Sequence, residues 1–180
     1  MDLRVQRTVK SIEHAFVSLT LEQGFESVTV RQISKQAEIN PKTFYDHYHD
    51  KYDLVHQLEA RFLDRYQQLL KKRFVYHQAI KEDTLPTGLE KLVTNMTSDP
   101  EFCQTVIALE SIQDETVRFK SQVVVLIKDA LVDADISQDP YIIDILATIA
   151  LKTIDYYMRT DTPFSIQREM DLLRVLNRLL

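Results

Sequence analysis

The stretch TVRQISKQAEINPKTFYDHYHDK, Thr29 to Lys51, concentrates side chains that bind through hydrogen bonds and charge rather than by making covalent bonds. Lys42 and Arg31 carry donors of the kind that reach guanine O6 and N7, while Pro41 and the Thr43 methyl suit contact with a thymine methyl. Asn40 completes the candidate base readers. Tyr45, His47 and Lys51, helped by Thr29 and Arg31, are the candidate phosphate contacts. Lys51 stands in the first turn of an expected helix, where backbone N–H groups and a cation together favour an anion. Any one of these residues alone is more often solvated surface, and it is the set in register that favours nucleic acid.

Other chemistry has less support. No nucleophile–base pair, phosphate loop or paired-carboxylate motif occurs, so the chain is not expected to be an enzyme. Of the histidines His14, His47, His49, His56 and His77, the pair His47 and His49 is expected on different sides of a helix with no cysteine nearby, so neither a metal nor another cofactor is expected. Glu110, Asp144 and Asp155 fall in otherwise apolar helices, and Tyr156 with Tyr157 follows. Glu110, Asp155 and Tyr156 are weak candidates for a ligand cavity against the commoner reading of a solvated or core position. The single cysteine, Cys103, excludes an internal disulfide and suits a reducing cytosol, more as a small buried hydrophobe than as a thiol sensor.

The elements that must position the candidate contacts are short. Thr29 is an N-cap, and Gln32 three residues on completes a capping box. Val30, Ile33 and Ala37 share one face of the helix that follows. Asn40-Pro41 then restarts a helix, with a capping side chain followed by a residue of fixed φ that has no N–H to leave unpaired. Because proline disfavours helical dihedrals in the residue before it, the first helix ends near Ala37 and the chain turns through Glu38 and Ile39. In the second helix Phe44 is the apolar anchor and Tyr48 follows one turn later. So short a helix holds only by packing, and one braced by its predecessor has the geometry for a DNA major groove.

The run Gly24 to Val55, GFESVTVRQISKQAEINPKTFYDHYHDKYDLV, resembles the N-terminal DNA-binding region of the tetracycline-repressor (TetR) family of bacterial regulators. The residues that carry the resemblance are Thr43-Phe44-Tyr45, His47-Tyr48, Asp50-Lys51 and Leu54, with Gly24-Phe25 and Thr29-Val30 in register upstream. The turn position that is usually glycine in the family is Glu38, and Pro41 stands where a polar or basic side chain is common. The resemblance implies a dimeric regulator docking on a palindromic operator.

The rest of the chain fits an all-α fold. Among 180 residues there are two glycines, five prolines and no tryptophan, with 44% apolar, which favours long helices and short connections. Val5, Val9, Ile12, Phe16 and Leu19 mark a first helix from Leu3 to Gln23, closed by Gly24 as a left-handed C-terminal residue. A long helix capped by Asp50 carries Leu54, Leu58, Phe62, Tyr66 and Leu69 to about Arg73. Glu82 to Gly88 reads as the main loop, and helices are expected over Thr87–Thr97, Pro100–Ile112, Glu115–Val132, Pro140–Arg159 and Ser165–Leu180, with Asp99-Pro100, Asp139-Pro140 and Thr162-Pro163 opening three of them. Gln122 to Ile127, QVVVLI, has strand-like composition but no strand to pair with, so a buried helix is expected. The domains expected are a DNA-binding head over 1–50, a linking helix over 51–73, and a dimerisation and effector body over 74–180.

Charge divides along the same line. Residues 1–73 hold twelve Lys and Arg against ten Asp and Glu, and the remainder ten against seventeen, within a net charge of −5. A mildly basic head on an acidic body suits DNA binding by two heads together. The last two helices are apolar on more than one face: in the Pro140 helix Ile142, Leu146, Ile149 and Thr153 form one stripe and Ile143, Ala147, Ala150, Ile154 and Met158 another, and in the last helix Ile166, Met170 and Leu173 sit beside Leu172, Leu176 and Leu179. A second copy is the expected cover, in a four-helix bundle. The chain has no 18-residue apolar run and no signal peptide, so no membrane and a cytoplasmic location are expected. The expected function is a regulator, a repressor released by a small effector; the alternative is an effectorless co-activator or scaffold whose body binds another protein.

Overall fold

The structure is a computed structural model that describes residues 3–79, 94, 97–160 and 162–179. The expected loop 82–88 and nearly all of the expected helix 87–97 lie outside the described residues. So do the side chains of Leu176 and Leu179, although their backbone is helical. The described residues form eight α-helices and one 3₁₀ turn, with no strand: α1 (Leu3–Gln23), the 3₁₀ turn (Phe25–Ser27), α2 (Val30–Gln36), α3 (Pro41–Tyr45), α4 (Lys51–Ala79), α5 (Pro100–Ser111), α6 (Gln113–Asp133), α7 (Pro140–Thr160) and α8 (Ile166–Leu179).

Local chemistry sets most of these limits. Asp50 caps α4 by accepting from the N–H groups of Tyr52 and Asp53, both at 2.8 Å, and Asp139 caps α7 by accepting from Tyr141 at 2.8 Å. Helix α4 runs six residues past its expected end. Pro163 does not open α8; the helix begins at Ile166, with the Ser165 carbonyl accepting from Arg168 and Glu169. Gly24 has φ 78° and ψ 146°, so it supplies the positive φ that was expected but stands outside the left-handed helical well.

Two compact units result, residues 1–66 with 100–123 and residues 67–99 with 124–180. The first contains the whole expected head and adds α5 and the start of α6 to it. Its core draws Ile12 and Phe16 from α1, Ile33 from α2, Phe44 from α3, Leu54 and Phe62 from α4, and Phe102 and Leu109 from α5. Phe62 meets Phe102 with ring centroids 4.6 Å apart. In the second unit Ile127 and Ala130 of α6 and Ile143, Ala147, Ile154 and Tyr157 of α7 are buried. Tyr157 also closes the corner into α8, donating its hydroxyl to Glu169 at 3.1 Å and lying against the Phe164 ring. The QVVVLI segment is helical, and it is buried on one face only: Val123 and Ile127 are covered while Val125 is exposed.

Candidate nucleic-acid interface

Helix α3 is five residues long, far below the length at which a helix is stable by itself, so its neighbours must hold it. Phe44 is fully buried and anchors it. At its start the Asn40 side chain accepts from the Lys42 N–H at 2.9 Å, and Pro41 occupies the first position. Helix α2 is held in the same manner. The Thr29 hydroxyl accepts from the Gln32 N–H and donates to Gln32 Oε1 at 2.7 Å, while the Thr29 N–H donates to that same oxygen at 2.9 Å, so the expected capping box is complete.

The turn between them is a Schellman closure. The Ile39 N–H reaches back to the Ser34 carbonyl at 3.0 Å and the Glu38 N–H to Lys35 at 3.2 Å. Glu38 takes φ 56° there, in the region that glycine occupies without steric cost. The turn keeps its ordinary geometry, and a non-glycine residue is held in it.

Beyond α3 the chain leaves the helix at Asp46, so His47 and His49 are not on helical faces, contrary to the expectation. Tyr48 is 2% exposed and belongs to the core. Its hydroxyl accepts from Arg61 at 3.1 Å and faces the Glu13 carboxylate at 3.5 Å, and Arg61 is paired to Glu13 as well. Burial first, and then the Glu13 charge, pushes the Tyr48 hydroxyl up to about 12. Glu13 is itself raised: desolvation outweighs the pull of Arg61. This three-residue tie joins α1, α4 and the segment that follows α3. It was not legible in the sequence, because Glu13 and Arg61 are 48 residues apart and each reads as a polar position beside an apolar stripe.

The candidate contacts sort into two groups. Thr29 and the side-chain oxygen of Asn40 are committed to helix caps. Lys51 donates to the carbonyls of Phe25 at 2.9 Å and Glu26 at 3.2 Å and lies 4.3 Å from the Phe25 ring centroid. It therefore clamps the 3₁₀ turn to α4, with one of its three N–H groups left over. Arg31, Pro41, Lys42 and Tyr45 are exposed, Tyr45 by 58%, and Thr43 and His47 are half-exposed. Lys35, at the end of α2, is exposed too and was not singled out from the sequence.

Outside the head, the weak ligand candidates each have a local partner. Glu110 pairs with Lys120 at 3.5 Å within the first unit. In the second, Asp155 pairs with Arg159 at 2.5 Å and Tyr156 has the Arg168 guanidinium 5.7 Å from its ring centroid. Of the expected dimer residues, Ile142 is 44% and Leu172 41% exposed, while Leu146, Ile149 and Thr153 are half-buried. No group of metal-ligating side chains occurs among the described residues, and no helix among them is long and apolar enough to cross a membrane.

Residues 14–58 match the family model described as bacterial regulatory proteins, tetR family. An uncharacterized HTH-type transcriptional regulator of Bacillus subtilis, YxbF, is 34% identical over 62 residues, which is 34% of this chain; the chain spans only 16% of the length of that curated relative. Among solved structures, a transcriptional regulator of the TerR/AcrR family from Aquifex aeolicus superposes with a TM-score of 0.64 at 17% identity, covering 96% of this chain and 98% of that one. Salmonella enterica GusR gives 0.62 at 16% identity over 84% and 82% of the two chains. The TetR family transcriptional regulator PfmR from Thermus thermophilus gives 0.59 at 12% identity over 84% and 85%. These structural likenesses cover 84–96% of this chain, whereas the family model matches residues 14–58.

Proposed function

We propose that this chain, whose residues 14–58 match the tetR family model, is a sequence-specific DNA-binding repressor of that family, acting as a homodimer on a palindromic operator. The observation that carries this reading is the set of exposed Arg31, Lys42 and Tyr45 with half-exposed Thr43, presented by two short capped helices whose other faces are buried. Side chains of that kind on a braced helix suit a major groove, and a dyad would place two such helices in grooves one helical turn or a small multiple apart.

The dimer is proposed through α7 and α8, where Ile142, Ile145, Met170, Leu172 and Val175 are all exposed on the single chain. Exposed apolar faces on two consecutive helices favour a four-helix arrangement with a second copy. The functional division follows: residues 1–50 read DNA, the start of α4 links, and the remainder dimerises and takes an effector. An effector that binds better to a conformer with altered head spacing would release the operator, to an extent limited by its differential affinity for the two conformers.

The test is selection of bound duplexes from a random pool by the full chain. The reading expects two inverted half-sites at fixed spacing, bound at one dimer per site and weakened by salt. Enrichment of no duplex at low salt would overturn it. Metabolites are then screened by thermal shift for those that also discharge the operator.

A further inference from the structure

Asn40 stands where a base-reading amide is expected, at the exposed start of the reader helix, yet its carbonyl oxygen is committed. Oδ1 accepts from the Lys42 N–H at 2.9 Å, and only an oxygen can sit opposite that donor, so the orientation of the amide is set by the cap. The bond has a structural consequence. Pro41 has no N–H, and the N–H groups of Thr43 and Phe44 go to the Asn40 backbone carbonyl at 2.8 and 3.4 Å. The Lys42 N–H therefore has the Asn40 side chain as its described partner.

Adenine is read in the major groove by an amide that accepts from N6–H₂ and donates to N7 at once. Oδ1 keeps a second lone pair, but aligning both ends of the amide on a base edge means turning it out of the cap and leaving the Lys42 N–H unpaired. What Asn40 still offers is its two Nδ2 donors. The neighbouring side chains do not restore an acceptor of the required shape: Pro41 is apolar, Lys42 has donors only, and Thr43 has one hydroxyl and a methyl.

Resting on the DNA-binding reading above, we infer that Asn40 is a positioning residue rather than an adenine reader, and that the reader helix presents donors that select guanine through Lys42. Guanine offers two acceptors, O6 and N7, on one edge, and so matches a surface of this kind. Pro41 and the Thr43 methyl then favour thymine at a neighbouring step.

The experiment compares duplex pools selected by the wild-type chain, Asn40→Ser, Asn40→Ala and Lys42→Ala. Serine is as good a cap as asparagine, so Asn40→Ser is expected to keep the wild-type base preference at every position. Asn40→Ala is expected to lower the melting temperature and weaken all sites alike. Wild type is expected to require a guanine in each half-site; replacing that base by 7-deazaguanine should weaken binding by about tenfold, and Lys42→Ala should abolish the requirement. Half-sites with a required adenine whose preference disappears in Asn40→Ser would overturn the inference while leaving the DNA-binding reading intact. Failure of wild type to bind any duplex would overturn both.

Discussion

Glu38 holds φ 56° at the turn between the two motif helices, where a Cβ crowds the backbone and glycine does not. Removing the side chain relieves that strain, offset in part because glycine gives the unfolded chain more conformational entropy to lose. Glu38→Gly is therefore expected to stabilise the protein by about 1 kcal/mol, seen as a rise in melting temperature of a few degrees. An unchanged or lower melting temperature would show the strain to be offset elsewhere. Tyr48 makes a second prediction at this scale. Its folded value of about 12 lies above the ordinary value of 10.0, so folding favours the neutral hydroxyl. The stabilisation that it contributes is complete below pH 10 and is lost as the pH rises through about 12. A steep loss of stability across that window, absent in Tyr48→Phe, is expected in denaturant titrations. The raised carboxyl of Glu13 has the same sign, with a contribution complete below 4.5 and lost as the pH rises through its folded value.

Short helices depend on their ends. Helix α2 has seven residues, and its capping box pairs the Gln32 N–H and the Thr29 N–H reciprocally. Thr29→Ala is expected to cost about 1 kcal/mol of stability and to weaken every DNA site alike, without altering the salt slope, because the Thr29 polar atoms are spent within the protein. A reduced salt slope in this variant would restore Thr29 to the phosphate contacts. At α7 and α8 the matter is surface rather than ends. An arginine at Ile142 or Leu172 would place a charge in the proposed dimer seam, so Ile142→Arg and Leu172→Arg are expected to run as the 21.1 kDa protomer in light scattering and to lose operator binding. A variant that remained dimeric would move the seam to another face.

Over the whole molecule, the body is acidic and residues 1–73, head and linking helix together, carry a surplus of only two positive charges, so the proposed attraction to DNA must come from placement and from pairing two heads. Arg31→Ala is expected to lower the salt slope by about one per head if Arg31 meets phosphate. Lys51→Met should behave differently: it releases the Phe25 and Glu26 carbonyls, so a lower melting temperature is expected with weaker binding at all sites. Equal melting temperatures for Lys51→Met and wild type would mean that the clamp carries no weight in the fold. The first compact unit contains α5 and part of α6 beside the motif helices, so substitutions in Phe102 or Val106 act on the stability of the reader as well as on α5.

What could be read from the sequence alone was whatever neighbouring residues decide among themselves. Thr29 with Gln32, Asn40 with Pro41, and the caps Asp50 and Asp139 announce helix starts because the bonds that form them span two or three residues. The apolar stripe from Val5 to Leu19 marked α1 for a related reason, since a period of 3.6 residues is a local property. The all-α class followed from many such signals together. Only the tertiary structure decided which polar groups remain available. Lys51 is drawn to carbonyls 25 and 26 residues away, and Glu13, Tyr48 and Arg61 find one another across two helices and the segment after a third. A side chain's type is written at its position, but the use of its donors and acceptors depends on which distant groups folding brings within 3 Å of it.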